Sequence, residues 1–129
     1  MANLVLGWEC GGLDSNESFI EAAEKILLKD LDEGEVEEEL ERIKDDVIDD
    51  DLDHYENMEN FGGWLRNYTK TYLLGFSGSD SGGSIGVSYG CDALFEEIEK
   101  DYKEMMENKY TQSIIEVWGK PKVIVNDYD

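Results

Sequence analysis

The sequence predicts an α+β fold, a mainly antiparallel sheet of about four to five strands packed with three to four helices, one of them strongly acidic. Three observations carry this. Apolar residues recur at helical spacing across residues 16–59 and 92–109. Short runs rich in Val, Ile, Thr, Tyr and Leu occupy 3–9, 66–76, 84–89, 113–118 and 123–125. Gly- or Pro-containing turns follow several of those runs, so they read as hairpins 66–89 and 113–127 plus an N-terminal strand.

Residues 3–9, NLVLGWE, alternate with Leu4, Leu6 and Trp8 on one face, and Gly11-Gly12 end the strand. Asp14 and Ser15 are N-cap candidates, with Glu17 three places after Asp14 as in a capping box. The helix that follows, about 16–31, sets Phe19, Ile20, Ala23, Ile26, Leu27 and Leu31 inward. Gly34 marks a break before an acidic helical segment. There Val36, Leu40, Ile43 and Val47 form one narrow stripe, whereas Ile48, Leu52 and Tyr55 form a second one rotated by about 120°. A phase jump of that size predicts a kink or break beside Asp49-Asp50-Asp51. Phe61-Gly62-Gly63-Trp64 read as a turn, 66–76 as a strand, 78–84 as a Gly/Ser loop and 84–89 as the returning strand. Asp92 is a cap candidate for a helix over 92–109 whose inward face carries Leu94, Phe95, Ile98, Tyr102, Met105 and Met106. Residues 113–118 and 123–125 then close a terminal hairpin around Gly119-Lys120-Pro121-Lys122.

At 129 residues and 14.7 kDa the chain is expected to form one domain, 1–129, and its 40% hydrophobic content supplies a core. The N-terminus MANLVLGWECGG has no basic region and only a short apolar run, so neither a signal peptide nor a membrane span is expected. A cytoplasmic protein with Cys10 and Cys91 as reduced thiols is the corresponding reading.

Charge is the functional signal. Between residues 30 and 59 lie sixteen Asp or Glu and two bases, Arg42 and Lys44, which leaves −14 of the chain's formal −21. Thirty helical residues span about 45 Å, or one net charge per ~3.2 Å, close to the ~3.4 Å of a single DNA strand. A halophile-type surface would spread its acids evenly, yet residues 60–129 hold eleven acids against seven bases. Such a field disfavours nucleic acid and anionic membrane as direct ligands and favours a basic protein.

Catalytic motifs fare worse. Gly86-Val87-Ser88-Tyr89-Gly90 matches GxSxG after a strand and before a helix, but the only histidine, His54, lies upstream rather than downstream. Asp80-Ser81-Gly82-Gly83 matches the serine motif of trypsin-like proteases without that family's length or histidine motif. Asp49, Asp51 and Asp53 alternate as in half a calcium loop, with His54 where glycine is needed and Asn60 where a bidentate Glu is needed. No enzyme, cofactor or metal site is expected.

In charge the chain resembles, as a class and without a shared motif, the acidic DNA-mimic proteins with which phages block restriction or CRISPR nucleases. That resemblance implies an inhibitor whose carboxylates occupy a basic nucleic-acid groove of a partner enzyme. The candidate contact residues are Glu38, Glu41 and Asp45, opposite the first apolar stripe, and Asp46, Asp49, Asp50 and Asp53 around the break. An immunity or antitoxin protein against a basic nuclease toxin is the alternative reading, and an acidic adaptor of basic proteins the third.

Overall fold

A chain this acidic folds only where apolar side chains can be gathered away from the carboxylates. The computed structural model describes residues 2–9, 16–79, 82–90 and 92–127. Cys10, Cys91, the Gly11-Gly12 turn, the Asp14 and Ser15 caps and Asp80-Ser81 lie outside the described residues.

The order is β1 (Ala2–Glu9), α1 (Asn16–Leu27), α2 (Glu33–Asp46), α3 (His54–Thr69), a 3-10 turn (Tyr72–Leu74), β2 (Gly75–Ser79), β3 (Gly82–Tyr89), α4 (Phe95–Glu107), α5 (Lys109–Trp118) and β4 (Lys122–Asp127). The four strands make one antiparallel sheet, ordered β2-β3-β1-β4. Among the described residues it is an α+β fold with five α-helices.

Strand β1 sits inside the sheet, with Leu6 opposite Val87 and Val123 and Trp8 opposite Ile85. Leu6, Trp8 and Ile85 turn one sheet face onto the helices and meet Phe19, Ile26, Leu27, Ile43, Phe61, Leu65 and Ile114 in a buried core. Phe19 is its aromatic hub. Its ring lies 5.0 Å from Phe61, 5.4 Å from His54 and 6.1 Å from Trp118, centroid to centroid. Both indole N–H groups around it are used: Trp8 Nε1 donates to the Gly119 carbonyl at 2.7 Å and Trp118 Nε1 to Ser18 Oγ at 2.6 Å.

Several expected elements fall differently. Helix α1 stops at Leu27, and its last turn tightens through Lys29 N–H to Ile26 and Asp30 N–H to Leu27 carbonyls. The break before α2 falls at Asp32, not Gly34, because Asp32 caps the helix in a reciprocal capping box with Glu35. Phe61-Gly62-Gly63-Trp64 is the middle of α3 rather than a turn. The helical signal there is aromatic: Phe61, Trp64 and Tyr68 stack in sequence at 5.7 and 5.2 Å. Helix α3 therefore absorbs residues 66–69 of the expected strand and ends where Lys70 turns left-handed, φ 57°.

Residues 113–118 are helix, not strand. Asn108 caps α5 by accepting from Tyr110 N–H at 2.8 Å, and Thr111, Ser113 and Ile114 are buried. SIIEVW is too short an apolar run for periodicity alone to tell strand from helix. With α5 helical there is no terminal hairpin, and β4 pairs with β1 instead. Helix α4 starts at Phe95 rather than at an Asp92 cap, and its N-cap position, Leu94, makes no side-chain capping bond. Of the inward residues expected on it, Ile98 and Met105 are buried, while Phe95, Tyr102 and Leu94 are exposed. A polar tether takes their place: Asp101 accepts from Tyr72 Oη at 2.9 Å and Tyr89 Oη at 2.6 Å.

The glycine pair in α3 gives a test with two signs. A Cβ at Gly62 would lie 2.5 Å from the Phe76 Cβ on β2, whereas one at Gly63 would meet nothing within 4 Å. Helix propensity alone favours alanine at both by about 1 kcal/mol. Urea denaturation is expected to show Gly63→Ala stabilised by up to about 1 kcal/mol and Gly62→Ala destabilised by about 1–3 kcal/mol. Equal gains at both would mean that α3 does not seat on β2.

Candidate functional site

The acidic segment is built around one buried amide. Val36, Leu40 and Ile43 hold α2 against the core, and Ile48 is buried beyond its end. Residues 47–53 between α2 and α3 must then find partners for their backbone groups. Asn57, fully buried on the first turns of α3, supplies those of Asp49. Its Oδ1 accepts from Asp49 N–H at 3.0 Å, and its Nδ2 donates to the Asp49 carbonyl at 2.8 Å and to Asn16 Oδ1 at 3.1 Å. Asn16 in turn donates to Asp50 Oδ1 at 3.0 Å, which ties the bend to the start of α1. The predicted break beside Asp49-Asp50-Asp51 is present.

Around this bend the carboxylates line a trough between α1 and α2. One half, about 840 Å³, is bounded by Asn16, Glu17, Ile20, Glu21, Glu24, Lys44, Ile48 and Asp49, Asp50 and Asp51. The other, about 780 Å³, is bounded by Glu24, Gly34, Glu37, Glu38, Leu40, Glu41 and Lys44. The halves share Glu24 and Lys44, so together nine carboxylates face one ammonium group.

Of the seven candidate contact residues, the fold brings Glu38, Glu41, Asp49 and Asp50 into the trough. Asp45 and Asp46 are exposed at the end of α2 and do not line it. Asp53 is occupied as the N-cap of α3, accepting from Glu56 N–H at 2.8 Å. Sequence reasoning missed the α1 wall. Glu17, Glu21 and Glu24 follow one another at spacings of four and three, the same face rule that placed the apolar stripe. The signal was present but diluted by Lys25 and Lys29 outside the dense stretch.

Little on α2 offsets its charge. The helix carries eight acids and two bases over about 21 Å, one net charge per ~3.5 Å. Glu33/Glu37, Glu35/Glu39, Glu37/Glu41 and Glu41/Asp45 are like-charged at i,i+4. Both bases are held within the helix, Arg42 to Glu39 at 2.7 Å and Lys44 to Glu41 at 4.0 Å. The compensating anchor lies at the turn before α2, where Asp30 accepts from Lys109 Nζ at 2.6 Å, Tyr110 Oη and Tyr68 Oη. The Lys109 and Tyr110 hydrogen bonds hold the Asp30 carboxyl below its usual range. Burial, reinforced by Asp30, pushes the Tyr68 phenol up to about 12.

The GxSxG match does not form a nucleophile elbow among the described residues. Ser88 lies within β3, exposed and opposite Val5, and α4 begins only at Phe95, so no sharp strand-to-helix elbow presents it. His54 is the first residue of α3, its ring stacked on Phe19. Asp49 accepts from Asp51 N–H at 2.9 Å and Asp53 caps α3, so that carboxylate series is divided among local backbone tasks. Among the described residues no three His, Cys, Asp or Glu side chains are grouped so as to hold a metal ion, and no helix is long and apolar enough to cross a membrane. Comparison of the chain with protein-family models, curated proteins and solved structures finds no match.

The Asp30 anchor gives a pH-dependent stability with a defined sign. A carboxyl whose folded pKa is depressed stabilises fully above its unfolded value, here 3.8, and loses that contribution as pH falls through the folded value. Asp30→Asn is therefore expected to lower Tm at neutral pH. The difference from wild type should shrink as pH is taken below 3.8. A constant difference down to the acid limit would contradict an ionised Asp30 as the anchor.

Proposed function

We propose that this chain is an acidic inhibitory binding protein whose α2 and trough carboxylates stand in for phosphates in the basic nucleic-acid groove of another protein. The supporting observation is the trough itself, nine carboxylates against one ammonium, walled by a helix whose axial charge spacing is that of a nucleic-acid strand. In this reading α2 enters the partner's groove as the phosphate-like edge. Lys and Arg side chains from the groove wall reach into the trough, where each gains charge-assisted hydrogen bonds. The net −21 accelerates encounter and makes it salt-dependent. The partner class that fits best is a defence nuclease of the restriction or CRISPR type, with the inhibitor phage-encoded and acting in the bacterial cytoplasm.

The concavity of the trough also suits a protruding basic segment, which supports a second reading as an immunity protein against a basic nuclease toxin. The two separate on whether nucleic acid and the inhibitor exclude one another on the partner, since a toxin can be neutralised away from its DNA site.

Affinity capture from a bacterial lysate tests the proposal. At low salt the immobilised protein is expected to retain a nucleic-acid enzyme that duplex DNA or high salt displaces. Retention unaffected by DNA, or a captured protein with no basic groove, would overturn mimicry.

A further inference from the structure

Helices α4 and α5 adjoin in the chain but are fastened in different ways. Helix α5 is fixed at both ends: Lys109 and Tyr110 bond Asp30 at its first turn, and Trp118 Nε1 donates to Ser18 Oγ at its last. Between them Thr111, Ser113 and Ile114 are buried. Helix α4 buries only Ile98 and Met105 among its 13 residues. Its N-cap position makes no side-chain bond, and its last turn holds Glu104 and Glu107 and no base, against the helix dipole. Among the described residues, the side-chain bonds that hold it are those of Asp101, which accepts from Tyr72 Oη at 2.9 Å and Tyr89 Oη at 2.6 Å, and one from Gln112 Nε2 to the Met106 carbonyl at 2.9 Å.

The residues that bound α4 have nearly the same extended backbone, Leu94 at φ −77°, ψ 139° and Asn108 at φ −77°, ψ 129°. Asn108 closes α4 by giving its N–H to the Met105 carbonyl and opens α5 by accepting from Tyr110 N–H. Each helix therefore ends on its own bonds, and a rotation between them leaves the ladder of α5 intact. Positions of this kind, at the ends of elements, absorb hinge motion. We propose that α4 is a latched flap, which detaches as one unit about Leu94 and Asn108 while the sheet and α5 stay folded, and that the two tyrosine bonds to Asp101 are its latch.

Detachment gives up the burial of Ile98 and Met105 and the bonds to Tyr72 and Tyr89, and touches none of the rings stacked around Phe19. It uncovers Met105, wholly buried in the closed form, on a helix that already presents Phe95 and Tyr102 to solvent. The opened flap thus shows apolar side chains on both of its sides. At 13 residues it is also of the length at which an isolated helix is marginal, so its amides exchange once it leaves the sheet. No residue of α4 lines the acidic trough, and the device stands or falls independently of what the trough binds.

Hydrogen exchange and thiol labelling of the whole chain read the opening. In the wild type, amides of 98–107 are expected to exchange about tenfold or more faster than those of 112–118, at a rate that low urea leaves unchanged. In a Cys10→Ser/Cys91→Ser background, Met105→Cys should react with Ellman's reagent about tenfold or more faster than Ile114→Cys, which is buried in α5. Adding Asp101→Ala should accelerate labelling at 105 and leave 114 unchanged. Asp101→Asn, which keeps one acceptor oxygen for a tyrosine, should fall between. Equal exchange in the two helices of the wild type would overturn the proposal without recourse to any variant. So would a thiol at 105 that reacts no faster than one at 114, or an Asp101→Ala effect of the same size at both.

Discussion

Asn57 is the point on which the acidic half of the molecule turns. Its amide satisfies both backbone groups of Asp49 and reaches Asn16, so three chain segments meet at one buried side chain. Without it the Asp49 N–H would lose its protein partner and the Asp49 carbonyl would keep only the Leu52 N–H. With it the chain can stop one helix and start another at a new phase, and Val36, Leu40, Ile43 and Ile48 all reach the core. The turn adds Asp49, Asp50 and Asp51 to the trough, whose other half lies between α1 and α2 themselves.

The cost of this charge is met by the opposite side of the same elements. Phe19, Ile26 and Leu27 of α1 and Val36, Leu40 and Ile43 of α2 are buried behind the carboxylates they carry outward. Burial of such side chains contributes roughly 1.5–3 kcal/mol each, against a few tenths for each like-charged i,i+4 pair. Apolar anchoring therefore outweighs the local repulsion several times over. Polar ties reinforce the perimeter, Asp30 joining the α1 end to α3 and α5, and Asp101 joining α4 to the sheet.

Where a pattern was long the sequence was legible. The stripe jump at Val47 and Ile48 located the bend, and the alternation of Leu4, Leu6 and Trp8 located β1 and its core face. The α+β class followed from keeping these two periods apart. Short or ambiguous runs misled. SIIEVW has the composition of a strand, but Asn108 caps it as a helix. Gly62-Gly63 has the composition of a turn, but Gly62 is the close approach that lets α3 touch Phe76. Residues 66–76 were β-like in composition, yet Thr69 bonds back to the Leu65 carbonyl inside α3. At the candidate site Glu38, Glu41, Asp49 and Asp50 were recoverable from density alone. Glu17, Glu21 and Glu24 were not, because their place in the trough depends on α1 and α2 packing side by side, which no local pattern encodes.

Counterion release offers the most direct measurement of whether this surface acts as phosphate. The association constant with the captured enzyme should be followed against NaCl for wild type and for the combined Glu17→Gln, Glu21→Gln, Glu24→Gln, Glu38→Gln and Glu41→Gln variant. For the wild type, log K is expected to fall linearly with log salt, as it does for nucleic acid in a basic groove. The neutralised variant should bind at least tenfold more weakly with a shallower slope. Identical affinity and slope in the two proteins would contradict the trough as the binding surface.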